Sequence, residues 1–159
     1  MEKNVLAAPK ITKITVNMGV GRLKDDKNFI ASAKNDLALI TGQAPCERSA
    51  KKSIAGFKLR EGDTVGVMVT LRGKRMWDFF SKLINIVLPR FGDFRGISKK
   101  SFDGSGNYSL GISEHTVFPE VDANKVDKIK SLQVNFSIST KSSEEGYKYL
   151  KFLGMPFKD

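Results

Sequence analysis

Several segments of the chain alternate apolar and polar residues with period two, the pattern of a strand that buries one face. In the first, Ile14, Val16 and Met18 alternate with Lys13, Thr15 and Asn17, and Gly19 and Gly21 of NMGVGR end it. Val65, Val67, Val69 and Leu71 mark another, whose opposite face carries Gly66, Met68, Thr70 and Arg72. The clearest runs through Leu132, Val134, Phe136 and Ile138, alternating with Gln133, Asn135, Ser137 and Ser139. Tyr108, Leu110 and Ile112 suggest a strand after the glycine-rich turn Asp103 to Gly106, and residues 46–58 are a candidate for a shorter one.

Helical spacing takes over elsewhere. Phe29, Ile30, Ala33, Leu37 and Ile40 recur at three- and four-residue intervals from Asn28 to about Ile40, with Asp26 or Asn28 as cap and Gly42 beyond the end. From Lys74 to Leu88, the residues Met76, Trp77, Phe80, Leu83, Ile84, Val87 and Leu88 form one apolar stripe that stops at Pro89, which predicts the main core helix. Ser142 and Glu145 have the spacing of a capping box, so a terminal helix through Leu153 is expected, closed by Gly154 and Pro156. Strands and helices without strict βαβ alternation predict an α+β layer fold and not a doubly wound sheet. Without an internal repeat or a long linker, residues 1–159 are expected to form one domain with a single core.

Composition makes that fold basic. Lys and Arg number 27 against 17 Asp and Glu, a formal charge of +10, which implies a polyanionic partner. Residues 1–80 hold 15 basic and 8 acidic side chains, net +7, so the first half is expected to hold more of that partner. A hydrophobic content of 40% argues for a packed globule instead of a disordered basic tail. Cys46 is the only cysteine, so no intrachain disulfide forms, and it is expected to be a small packing residue. Nothing in the visible N-terminus MEKNVLAAPK resembles a secretory signal and no run is long enough to span a membrane, which fits a protein of the cytoplasm.

The non-core strand faces carry short neutral polar groups such as Thr15, Asn17, Thr70, Gln133 and Asn135. Such a face suits the wide minor groove of A-form RNA, although an ordinary solvated sheet face has the same composition. Charge next to it favours nucleic acid. Arg48, Lys51, Lys52, Lys58 and Arg60 follow one another with no acidic residue among them up to Arg60, and Ser49 and Ser53 add phosphate-directed donors. Arg72, Lys74 and Arg75 form a second cluster. The glycines of NMGVGR would let backbone amides approach a phosphate, though a plain tight turn explains them equally.

Catalytic chemistry finds little support. One His and one Cys supply neither a metal cluster nor a convincing dyad, and Asp103 to Asn107 lacks the alternating ligands and terminal Glu of a calcium loop. Asp25, Asp26, Asp122 and Asp127 read as surface or capping groups. No cofactor, metal, catalytic residue or small-molecule substrate is therefore expected. An RNA-processing enzyme would need a convergent acid/base set that the sequence does not offer. Membrane attachment would need more basic residues beside Trp77 than Lys74, Arg75 and Lys82.

Several longer strings are specific. ITKITVNMGVG (11–21), AKKSIAGFKLREG (50–62), VTLRGKRMWDFF (69–80), LPRFGDFRGIS (88–98), SFDGSGNYSLGISE (101–114), FPEVD (118–122) and TKSSEEG (140–146) resemble, in the same order, the bacterial form of the large-subunit ribosomal protein five family. The resemblance implies an antiparallel sheet with helices on one side and the opposite face open for RNA. It also implies a structural role in the ribosome, binding 5S rRNA and helping to anchor it in the central protuberance beside 23S-type rRNA and other large-subunit proteins. Carried over by motif, Asn17, Gly19, Val20, Gly21, Arg22, Lys51, Lys52, Ser53, Thr70 and Arg72 would face 5S rRNA. The loop Phe57, Lys58, Leu59, Arg60, Glu61 and Gly62 would reach P-site tRNA, and another surface would bridge to the small subunit's protein thirteen. Family members usually carry an additional N-terminal helix, whereas here the first strand starts soon after Met1, which implies a shortened N-terminus.

Overall fold

The computed structural model describes residues 8–92 and 94–158. The reading of the N-terminus up to residue 7, and Asp93 within LPRFGDFRGIS, lie outside them. Among the described residues the fold is α+β, a five-stranded antiparallel sheet with three α-helices. In chain order the elements are β1 (Ile11–Gly19), α1 (Lys27–Thr41), β2 (Cys46–Ser49), β3 (Thr64–Leu71), α2 (Gly73–Lys82), β4 (Tyr108–Ile112), β5 (Leu132–Ile138) and α3 (Ser143–Phe152). The strand order is β2-β3-β1-β5-β4, and β2 pairs antiparallel with β3 in the register Cys46 opposite Met68.

The period-two pattern translates directly into burial. Ile14, Val16 and Met18 of β1, Val67, Val69 and Leu71 of β3, and all four apolar positions of β5 are buried, while Thr15, Asn17, Met68, Thr70, Asn135 and Ser137 stay partly exposed. β2 is the exception: every residue of this four-residue edge strand is exposed. Cys46 is thus a free, exposed cysteine and not a packing residue, because an edge strand this short places no side chain in the core.

The chain divides into two compact units. Unit one takes the described residues through Thr15, Thr70–Gly111 and those from Val134 onward. Its core is aromatic: Phe80 of α2 meets Phe136 of β5 edge-on at 6.0 Å, and Tyr108 lies 6.2 Å from Phe136 and 5.6 Å from Phe157. α2 does not run on to Leu88 as a regular helix. It widens into a π turn at Leu83–Val87, where the Leu88 N–H donates to the Leu83 carbonyl, and tightens to a 3-10 turn at Leu88–Arg90. Pro89 has no N–H to continue a ladder, so the helix ends there. The buried stripe is Met76, Phe79, Phe80, Leu83, Val87 and Leu88, while Trp77 is 40% exposed and packs edge-on against Phe80 at 5.8 Å. Trp77 thus lies at the margin of the stripe, not on it, one residue (about 100°) round the helix from Met76.

α3 begins at the expected cap, with the Ser142 hydroxyl accepting from the Glu145 N–H at 3.3 Å. The return arm differs from the standard box: the Glu145 carboxylate accepts from the Lys141 N–H, one residue before the cap. The turn before β4 is held by Asp103, whose carboxylate accepts from the N–H groups of Ser105 and Asn107 and from the Asn107 amide. Those bonds, led by the Asn107 side chain, hold its carboxyl below the usual range.

Unit two takes Val16–Val69 and Ile112–Gln133. α1 starts where Asp26 accepts from the Phe29 N–H at 3.1 Å and stops at Gly42, whose left-handed φ of 68° places its N–H on the Ala38 carbonyl. Ala33, Leu37 and Ile40 are its buried face.

Candidate nucleic-acid interface

In unit two, β1 runs out into a short turn. Asn17 is partly exposed, Gly19 is exposed, and Val20 turns inward, its N–H donating to the Val65 carbonyl at 3.0 Å. Val20 is fully buried, so it offers a ligand no side chain. Gly21–Leu23 form a 3-10 turn that leaves Gly21 and Arg22 on the surface.

Residues 50–63 form a closed loop and not a continuation of β2. The Ala50 N–H donates to the Asp63 carbonyl at 2.8 Å, the Gly62 N–H to the Ala50 carbonyl at 3.0 Å, and Ile54 and Leu59 exchange backbone bonds at 2.9 and 3.1 Å. The Ser53 hydroxyl accepts from the Glu61 N–H at 2.9 Å, which braces the loop and still leaves its own proton to donate. At the base, Asp63 pairs with Lys24 and accepts from the Arg60 N–H, and these bonds hold its carboxyl below the ordinary range, the Lys24 bond most. Such bracing leaves Lys51, Lys52, Lys58 and Arg60 exposed, with Lys58 in a left-handed conformation at φ 50° and Phe57 at the tip, 78% exposed.

Thr70 and Arg72 belong to unit one: Thr70 is partly exposed near the end of β3, and Arg72 is exposed at the N-cap of α2. The remaining predicted positions, the turn and the loop, fall together in unit two.

A groove of about 800 Å³ in unit two joins turn and loop. Gly19 and Arg22 line it from the turn, Phe57 and Leu59 from the loop, and Lys128 and Ile129 from a third segment that no motif or charge run singles out. That segment is held by a buried cation. The Lys130 side chain is only 2% exposed, and its ammonium donates to Asp36 of α1 at 2.7 Å and to the Ser32 hydroxyl at 2.9 Å, with the Phe29 ring 5.4 Å away. The Lys130 N–H donates to His115 Nδ1 at 3.2 Å, which places the neutral ring's proton on Nε2, 3.3 Å from Asp36. Burial, and then the Lys130 charge, push the imidazole below its usual range despite Asp36. Among the described residues no three His, Cys, Asp or Glu side chains converge as a metal site would require, and no helix is long and apolar enough to cross a membrane.

The family model described as Ribosomal protein L5 matches residues 4–60, and the model of that family's C-terminus matches residues 64–157. The chain belongs to the ribosomal protein L5 family. The large ribosomal subunit protein uL5 of Halothermothrix orenii is 52% identical over 155 residues, covering 98% of this chain and 87% of that protein. The uL5 of Roseiflexus castenholzii is 52% identical over 157 residues, 99% of this chain and 87% of its own length. That of Wigglesworthia glossinidia brevipalpis is 53% identical over 156 residues, 98% and 88%. As a member of the L5 family the chain is a structural, non-enzymatic constituent of the large ribosomal subunit, working in the cytoplasmic ribosome.

Proposed function

We propose that this L5-family chain binds 5S rRNA and helps anchor it in the central protuberance, with residues 1–159 acting as one RNA-binding module. Contacts to 23S-type rRNA and neighbouring large-subunit proteins belong to the same role. In this reading the loop Phe57–Gly62 touches the backbone of P-site tRNA, and another surface bridges to the small subunit's protein thirteen.

The observation that supports it best is the loop of residues 50–63. Its carboxylate at the base is paired internally, its backbone is bonded to itself, and four cations point outward with Glu61 as the one exposed acid. Long cationic side chains on a pre-ordered backbone suit phosphate contacts, which position a protein on RNA without reading sequence.

Substituting Lys51 and Lys52 together with Ala should weaken 5S rRNA binding about tenfold or more, and lower the salt dependence by about one unit of slope per lysine. Both are exposed, so the far-UV circular dichroism and unfolding midpoint should stay those of the parent chain. A gel-shift titration in which the double variant binds like the parent would remove this pair from the interface.

A further inference from the structure

The groove in unit two has an unusual wall for an RNA-facing surface. Phe57 is 78% and Ile129 63% exposed, and Leu23 also shows its side chain to solvent. Water-facing apolar groups of this size are tolerated singly, but here they share one concavity. The rim is cationic. Among the described residues Arg22 and Lys128 line the groove as exposed cations and no carboxylate lines it, while the Lys130 ammonium is turned inward and neutralised by Asp36. Lys128 is held by Asp26 at 3.3 Å and lies 5.7 Å from the Phe29 ring centroid. The far wall cannot drift, because Lys130 ties it to Asp36 and Ser32 of α1. Nor does the turn side crowd the space: a Cβ built on Gly19 meets nothing within 4 Å.

An apolar floor under a positive rim complements a ligand that is flat and apolar on its faces and negative at its edge. A nucleotide whose base has left the helical stack has that form, whereas a paired base offers only its edge. We infer that this groove receives one unstacked nucleobase of 5S rRNA, with Phe57 and Ile129 against its faces and Arg22 and Lys128 toward the flanking phosphates. The inference rests on the 5S rRNA reading above and deepens it. 5S rRNA is the source because Gly19, Val20, Gly21 and Arg22, all assigned to that RNA, form one side of the groove. It also gives Phe57 and Leu59 a role besides any contact with tRNA.

Apolar contacts release no counterions, so this site leaves a signature that phosphate contacts do not. With purified full-length protein and 5S rRNA, Phe57→Ala should weaken binding roughly tenfold, within the range expected for losing one base–aromatic contact. Ile129→Ala should act in the same direction, and both variants should keep the parent's slope of log affinity against log salt. In parallel, dimethyl sulfate and carbodiimide probing should find an unpaired base that the parent protein protects and Phe57→Ala exposes, while the hydroxyl-radical footprint of the backbone stays the same. Parent-like affinity and an unchanged base pattern in both variants would overturn the inference. A parent chain without affinity for 5S rRNA would take down the underlying reading as well, so the two failures are distinct.

Discussion

Replacing Asp36 with Ala should destabilise the chain by about 3–5 kcal/mol, the cost of leaving a buried charge without its partner. The Lys130 side chain is 2% exposed and its shortest polar contact is the Asp36 carboxylate at 2.7 Å. Without that carboxylate the ammonium keeps only the Ser32 hydroxyl and the face of Phe29, neither of which carries a compensating charge. His115 cannot take over, since its Nδ1 already accepts from the Lys130 backbone and burial keeps the ring neutral. The Asp36 side chain retains 17% exposure, so some water reaches the vacated space and the loss should fall toward the lower end of the range. Adding Lys130→Met to Asp36→Ala should recover most of the stability, because a methionine fills the stem's volume without a charge to solvate. Urea unfolding followed by circular dichroism decides it: a single variant within about 1 kcal/mol of the parent would mean that the pair is not buried in solution.

Gly106→Ala should cost a comparable amount, about 3 kcal/mol or more, from two causes that add. Gly106 sits at φ +85°, where an L side chain is strained by about 1–2 kcal/mol, and its Cβ would overlap the Thr140 hydroxyl and lie 2.5 Å from the Ser142 carbonyl oxygen. Opposite it, Gly146 of α3 has room for no Cβ either, since one would overlap the Gly106 carbonyl oxygen. Helix propensity alone would make Gly146→Ala stabilising by about 1 kcal/mol. Overlap with backbone, which cannot swing aside as a flexible side chain can, costs about 1–3 kcal/mol and decides the sign. A Gly146→Ala variant with a raised melting temperature would contradict this crossing of the turn and the helix.

These two sites differ in how far the sequence discloses them. Strand faces, the Asp26 and Ser142 caps and the Gly42 stop are local: each depends on residues within a few positions, and each appears in the structure where the pattern placed it. The α2 stripe was legible only in part, because a π turn changes the angle per residue and no spacing rule anticipates where it falls. Lys130 was not legible at all. A lysine between Ile129 and Ser131 reads as a solvated cation, and the carboxylate that buries it lies 94 residues away in sequence.

The candidate interface divides the same way. The run of basic residues from Arg48 to Arg60 without an acid among them, and the glycines after β1, stand out in the sequence alone, whereas the pattern suggests a strand over residues 46–58 and the structure closes residues 50–63 into a loop. What the sequence could not convey is that Arg22, Phe57 and Ile129 line one groove, since they come from three segments separated by dozens of residues. Ser53 shows a smaller limit: it was assigned to RNA as a donor, and its oxygen is also the brace that closes its own loop.

In the proposed role this chain holds 5S rRNA chiefly through its exposed cations. Equilibrium binding of the purified full-length chain to 5S rRNA, measured as salt rises from 50 to 200 mM, tests it most directly. If six to ten phosphates are neutralised, affinity should fall by roughly 10³- to 10⁵-fold over that range. An affinity that stays level across it would contradict the claim.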